Sequence, residues 1–448
     1  MKYPDTHIIQ RQEIEINFTN PDDSMDLQNR IAEVFYDKIQ PEIEKLLDGK
    51  FDKNHFASID KLDIDIGLIS EKNWEKEFLD NTLRKLKTEL SVTDKLEIKQ
   101  DDSQSENAFN SFMYFLENGF FPWNNRFDSV TELESALVID SNFIAKLKEV
   151  IRISDQAAAR LTYQFSDHFR FGIIDAFASD RKYILRNLFS IRESLEEIQI
   201  DVRVIDAGVL KALSYDLKEK VVQYFFDFLN RSILVEEEAK SVLQEIIKSL
   251  DDVMKDFTEN LINGSAHEKT ETDEIISKPG SQSVYIINAG IIILHPFLPE
   301  LFTQLGFIKE KKWVNMENQH KAAAVLEYLA TSDDHEFPEF DLPLNKILCG
   351  IELDDVIIPQ KELSDKIKSE SENLLNQVIK HWSVLKNTST AALRETFLMR
   401  NGKLSKVDNG WLLQVEQKSV DILLSHLPWG IGLIKLPWMN EMLYVEWT

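Results

Sequence analysis

The sequence predicts an α+β protein that is predominantly α-helical. A strand–helix–strand unit opens it, a helical middle follows, and a C-terminal helical domain ends in terminal β-hairpins. Three observations carry that prediction. Apolar residues recur at three-to-four spacing over most of Lys72 to about Asn263. At two places near the N-terminus apolar residues share one parity, with charged or polar residues mostly on the other. The last third holds six of the eight tryptophans and closes on LPWGIGLIKLPWMNEMLYVEW, in which only Lys435, Glu441 and Glu446 are charged.

In residues 8–18, IIQRQEIEINF, the residues Ile8, Ile14, Ile16 and Phe18 share one parity, the pattern of a half-buried strand. Ser24 then opens a helix to about Asp48, with apolar residues at Leu27, Ile31, Val34, Phe35, Ile39 and Ile43, and Gly49 stops it. A second strand is read in IDKLDIDIG, where Leu62, Ile64 and Ile66 alternate with Asp63 and Asp65. Helices follow near 72–90, 106–118, 129–151, 155–169, 180–199, 205–230 and 235–262, with 95–107 as a flexible connection. The stretch 264–283, GSAHEKTETDEIISKPGSQS, is small and polar, with almost no large apolar residue, and reads as a linker. Beyond it helices are expected near 290–306, 317–331, 361–381 and 389–400, then a hairpin turning at Asp408–Asn409–Gly410 and a short helix at 417–427. The chain is thus divided into an N-terminal unit 1–95, a helical middle 106–263, the linker, and a Trp-rich domain 284–448.

At 448 residues the chain exceeds one ordinary core, and its 43% hydrophobic and 29% charged residues are a globular composition. The formal net charge of −26 argues against a nonspecific nucleic-acid grip, which releases counterions through basic residues. It suits docking on a basic or mixed protein surface. One cysteine, Cys349, excludes an intramolecular disulfide and a Cys-based zinc cage. No signal core opens the chain, and no apolar run approaches the roughly 20 residues of a membrane helix. The expectation is a cytoplasmic protein, or one not sent through the general secretory route, with no nucleic-acid and no membrane partner.

Motifs of chemistry are missing: there is no phosphate-binding glycine loop, nucleophile elbow or His-Glu-x-x-His. Asp60, Asp63 and Asp65 do not make a calcium loop, because Gly67 is misplaced and Trp74 stands where a bidentate Glu is needed. Cys349 sits in the apolar run NKILCGIEL, with nothing beside it to lower a thiol pKa, and reads as a packed small hydrophobe. His295, followed by Pro296, reads as a structural residue bonded to backbone. Asp333–Asp334 and Asp354–Asp355 read as turns. No catalytic residue, cofactor or metal is assigned, and a non-enzymatic protein is expected.

The stretches HIIQRQEIEI, ASIDKLDIDIG, FLENGFFPW, NAGIIILHPFLPELF, EFDLPLNKILCGIEL and VIKHWSVLKNTSTAALRETFLMRNGKL, with the closing DILLSHLPWGIGLIKLPWMNEMLYVEW, resemble the contractile injection system tape measure protein family. The resemblance covers both ends and most of the C-terminal third, and is thinner between about 130 and 280. It implies an assembly factor of a phage-tail-like contractile particle. Such a factor would set inner-tube length in contact with tube, hub or spike, or baseplate proteins, in the bacterial cytoplasm first and then within the extracellular particle. A cytoplasmic chaperone or adaptor for toxin cargo or tube subunits is the alternative, and a homo-oligomer stays open. Rulers are expected to be long uninterrupted helices, whereas this helical pattern is broken often. Either the middle opens out in the tube, in which case lengthening it would lengthen the tube in proportion, or the ends act as docking modules.

Trp438, Trp429 and Trp123 are the candidate partner contacts. In the closing stretch Leu443, Val445 and Trp447 share one face and Met442, Tyr444 and Glu446 the other. The expectation is a terminal hairpin that is mostly core, with Trp438 left exposed in the turn PWMNE, so that Trp438→Ala would leave the fold nearly unchanged.

Overall fold

The computed structural model describes residues 12, 14–16, 30–50, 56–58, 62–91, 97–99, 104–123, 125–127, 129–179, 201–215, 224–225, 227–229, 283–360 and 362–447. The predicted helices 180–199 and 235–262, all but Ser283 of the linker, and most of the stretch 8–18 lie outside these residues. The protein is α+β and predominantly helical, with its largest sheet near the C-terminus. It divides into two compact units. Unit 1 comprises Met1–Ser103 with the returning segment Gln417–His426 and Thr448, and unit 2 comprises Gln104–Glu416 and Leu427–Trp447. Most of the helical middle and the C-terminal segment, read separately in the sequence, thus fall within one unit.

In unit 1, helical backbone runs over 30–50, with a π turn at Phe35–Ile39 before α1, Gln40–Lys50. The strand β1, Phe56–Ser58, pairs antiparallel with β2, Glu97–Lys99, and α2 spans Trp74–Ser91 between them. Strand β2 falls in the stretch read as a flexible connection. Ile31, Val34, Phe35, Ile39 and Phe78 form the core, with Ile66, Ile69 and Trp74 against it. IDKLDIDIG keeps its predicted alternation, Leu62, Ile64 and Ile66 half-buried and Asp63 and Asp65 exposed, yet 62–70 form no strand. Asp65 instead turns the chain, its Oδ1 accepting the Gly67 N–H at 2.9 Å. Ile14 and Ile16 also lie outside any strand and are exposed.

Among the described residues, unit 2 begins with the helices α3 (Gln104–Asn118), α4 (Val130–Ala136), α5 (Ser141–Ile153), α6 (Asp155–Gln164), α7 (Asp167–Phe177) and α8 (Val202–Leu213). Two helices predicted as continuous are each split by a cap. Asp140 accepts the Phe143 N–H at 2.7 Å and starts α5, and Ser166 accepts the Phe169 N–H at 3.2 Å and starts α7. The apolar periodicity runs across both breaks because the two halves face one core. In that core Phe112 meets the rings of Phe143, Phe165 and Phe169. Arg170 on α7 and Asp206 on α8, both buried, pair at 2.9 Å.

The remainder of unit 2 comprises β3 (Ser283–Ile286), a 3₁₀ helix Ala289–Phe297, α9 (Leu298–Gln304), β4 (Ile308–Lys309), β5 (Lys312–Trp313), α10 (Met316–Thr331), α11 (Pro343–Cys349), α12 (Asp365–His381), the short α13 (Thr390–Leu393), β6 (Gly402–Val407), β7 (Gly410–Val415), β8 (Leu433–Ile434) and β9 (Met442–Glu446). Strands β4 and β5 pair as a small hairpin of their own. The larger sheet has the order β3-β6-β7-β9-β8, antiparallel except for the parallel pair β7/β9. Both predicted hairpins are present, β6/β7 through Asp408–Asn409 and β8/β9 around PWMNE. Alternation places Leu404, Leu413 and Leu443 in the core, with Trp447 at 2% exposure and the Arg400 guanidinium 5.7 Å from its ring. Trp447→Ala is therefore expected to lower the unfolding free energy by about 3–5 kcal/mol, read as a shift of the urea midpoint; a loss under about 1 kcal/mol would contradict its core role.

Candidate functional site

Three of the stretches that carry the family resemblance, FLENGFFPW, NAGIIILHPFLPELF and EFDLPLNKILCGIEL, contribute to two buried polar centres. The first joins the helical block to the segment after α10. Arg160 on α6 donates from Nε to Glu339 Oε1 at 3.0 Å, and Lys346 on α11 donates to the same oxygen at 2.6 Å. Exposure is 0% for Arg160 and Glu339 and 1% for Lys346, so no water screens the charges. Backbone carbonyls accept further bonds: Leu116 O and Asp354 O from Arg160, Leu353 O and Asp355 O from Lys346. The pair Asp354–Asp355 is thus a turn, as its sequence implied, and its function here is to present carbonyls. Burial pulls the Lys346 ammonium pKa down, and Glu339 opposes that shift.

FLENGFFPW supplies the wall of this centre. Gly119 ends α3 in the left-handed region at φ +81, and its N–H reaches Phe115 O at 2.8 Å. A Cβ there would overlap Glu339 Oε1 and lie 2.9 Å from Arg160 Nη2.

The second centre is Glu327 on α10 with Asn288 and Asn345. Asn288 Nδ2 donates to Glu327 Oε2 at 2.5 Å and to Asn345 Oδ1 at 2.9 Å, and Asn345 Nδ2 donates to Glu327 Oε2 at 3.0 Å. Burial, reinforced by Asp341, pushes the Glu327 carboxyl up to about 8, so it is largely protonated at neutral pH. A folded-state pKa above the ordinary 4.5 means that folding takes up a proton between those values. The associated stability is complete below about 4.5 and is lost as pH rises through about 8. Stability is expected to fall by about 1.4 kcal/mol per pH unit across that window from this group alone. Glu327→Gln should abolish that slope in denaturation measured at several pH values; an unchanged slope would assign it elsewhere.

Tryptophan N–H groups complete the helix ends nearby. Helix α11 finishes at Gly350, φ 70, which donates to Ile347 O at 3.1 Å while Ile351 N–H reaches Lys346 O at 2.9 Å. The two remaining carbonyls are taken by side chains: Trp438 Nε1 donates to Leu348 O at 2.8 Å, and Trp313 Nε1 and Gln319 Nε2 each donate to Cys349 O at 3.0 Å. Trp429 Nε1 donates to Ile293 O at 3.0 Å. In a 3₁₀ helix that carbonyl would accept from residue 296, and Pro296 has no N–H to give.

Trp438 and Trp429 are therefore half-buried caps rather than free tips. Trp438 also lies against Trp313 and Phe302, with ring centroids 5.1 and 5.7 Å away. Trp438→Ala is expected to lower stability, in contrast to the sequence expectation, because it strands Leu348 O and opens that aromatic cluster. Trp123 is 58% exposed. The only sequence signal for the capping role was indirect: a tryptophan-rich segment beside a prolyl 3₁₀ helix and an apolar run ending in Cys-Gly.

The other sequence candidates sit apart from any reactive arrangement. Cys349 is fully buried and burial raises its thiol well above the usual value. His295 Nδ1 contacts Ile292 O at 2.9 Å, the backbone bond its position implied. His320 accepts the Ile358 N–H at 3.2 Å, and burial, then Lys346, lowers its pKa to about 4. Among the described residues no group of three or more His, Cys, Asp or Glu is placed to hold a metal, and no helix is long and apolar enough to cross a membrane.

The two buried polar centres, tied by side chains from segments far apart in sequence, hold together the interior beneath helices and a mixed sheet. The family model for contractile injection system tape measure proteins matches residues 6–447, nearly the entire chain, and the chain belongs to that family. It is a component that interacts with other parts of a contractile injection system. No curated protein and no solved structure matches it.

Proposed function

We propose that this chain is a non-enzymatic assembly protein that sets inner-tube length in a contractile injection particle. It acts by contact with tube, hub or spike, or baseplate proteins, in the bacterial cytoplasm and then in the extracellular particle. The observation that carries this reading is the family match over 6–447. Deleting the gene should yield particles whose tubes lose their uniform length or fail to form, and mass spectrometry of purified wild-type particles should find the chain. Tubes of unaltered length in the deletion would sink the reading.

The second reading, a cytoplasmic chaperone or adaptor for toxin cargo or tube subunits, is favoured by one observation: the described residues form two compact units and no long helix. It expects the chain to be missing from purified particles while particle yield depends on it.

Of the three candidate contacts, Trp123 is the best placed. Interface anchors are enriched in tryptophan, and Trp123 is 58% exposed whereas Trp429 and Trp438 are half-buried. Trp123→Ala should leave the thermal melt within about 0.5 kcal/mol of wild type and reduce incorporation into particles. Trp438→Phe, which keeps most of the ring and removes the donor, should lower stability by about 1–2 kcal/mol. A destabilised Trp123→Ala with normal incorporation would reverse the assignment.

A further inference from the structure

The chain leaves unit 1 after Ser103 and returns to it at Gln417–His426 before re-entering unit 2 for β8 and β9. The return is built. Tyr36, within the π turn, donates its hydroxyl to Gln417 Oε1 at 2.5 Å. Burial and then Asp421, which lies in the returning segment, both raise the Tyr36 phenol. The ring of Tyr36 stands edge-on to Phe35, a core residue of unit 1. The returning segment itself is a 3₁₀ helix, Ser419–His426, whose start is tied by the Lys418 N–H to Asp421 Oδ2 at 2.8 Å.

The chain flanking Gln104–Glu416 on both sides consequently lies in unit 1. A ruler reads length end to end, and this stretch, roughly 310 residues, would span about 470 Å as continuous helix at 1.5 Å per residue. With unit 1 closed its two ends cannot part, and the stretch could reach at most about half that distance even if unit 2 unravelled. Parting them requires the segment 417–426 to leave unit 1.

We propose that unit 1 is a clasp closed by residues 417–426, and that the protein works in particle assembly with this clasp shut, so that tube length is not read from the contour length of residues 104–416. The inference rests on the assembly role proposed above and deepens it: length is controlled by contact, from a folded body with joined ends.

The test has three genetic arms, gene deletion, wild type, and a variant with about 50 extra helix-forming residues inserted between Val138 and Ile139. These residues are 62% and 45% exposed and lie in the break between α4 and α5. Tube lengths are measured by electron microscopy. The expected result is altered tubes in the deletion and wild-type length in the insertion variant. Tubes longer by about 75 Å, the helical length of the insert, would overturn the clasp while leaving the assembly role intact. A deletion with normal tubes would overturn the assembly role itself.

A second measurement decides the matter if the insertion variant does not fold. In a Tyr36→Cys, Gln417→Cys double variant, a flexible bis-maleimide should join the two positions both in free protein and in protein bound to assembling particles. Buried Cys349 should stay unreacted in both. A crosslink that forms in free protein and is lost in the particle-bound form would show that the clasp opens, and would overturn the proposal. Its failure to form in either would overturn the clasp geometry.

Discussion

Replacing Glu339 by alanine is expected to lower the stability of unit 2 by about 3–5 kcal/mol, a large share of what a folded domain has in reserve. The carboxylate is the one anion between two buried cations, Arg160 at 3.0 Å and Lys346 at 2.6 Å. Without it both charges remain desolvated, with only carbonyl dipoles beside them. Glu339→Gln should recover part of the loss, because it keeps the shape and an acceptor oxygen but not the charge. Arg160→Met, Lys346→Met and Glu339→Leu combined should come out far milder than Glu339→Ala alone, since removing a whole buried ion cluster also removes its desolvation penalty. The measurement is the urea midpoint at constant slope. A Glu339→Ala loss below about 1 kcal/mol would show that water reaches this centre.

Gly290→Ala is expected to prevent folding or to destabilise by about 4 kcal/mol or more. A Cβ at Gly290 would lie well under 3.0 Å from the Phe397 carbonyl oxygen, 2.6 Å from its carbon and 2.8 Å from Leu398 Cα. All three are backbone atoms, and no side-chain rotation relieves them. The 3₁₀ helix of NAGIIILHPF is thus seated directly on the π turn Arg394–Leu398, and the Ala289 N–H confirms the seat by reaching Arg400 O at 2.9 Å. Gly172→Ala is the control, because nothing lies within 4 Å of a Cβ there and the residue is in the interior of α7. That substitution should gain about 0.5–1 kcal/mol. Equal melts for the two variants would mean that the 3₁₀ helix can lift away from its seat.

Gly290 shows where sequence reasoning stops. Its motif was visible as unusual, and a glycine in an apolar run is a signal of close backbone approach. Which backbone approaches it, more than a hundred residues away in Phe397, was not legible. The same holds for Arg160 and Glu339. A lone arginine in DQAAARLTYQ and a glutamate in EFPEFD look like solvated surface residues until α6 and the segment after α10 are brought together.

Local periodicity and turn chemistry, acting within a few residues, determined by themselves the predominantly helical α+β class, the hairpins at Asp408–Asn409–Gly410 and PWMNE, the burial of Leu443 and Trp447, the burial of Cys349 and the backbone contact of His295. The family resemblance was also carried by sequence alone, in stretches long enough to be distinctive. Tertiary structure decided the rest. It determined that Trp438 and Trp429 cap carbonyls left without donors by a helix end and by Pro296, that Glu327 is buried enough to hold its proton to about 8, and that residues 417–426 close unit 1. The physical reason is common to all three. A hydrogen-bond donor, a desolvated carboxyl and a returning segment acquire their roles from groups distant in sequence, and their spacing along the chain carries no record of those partners.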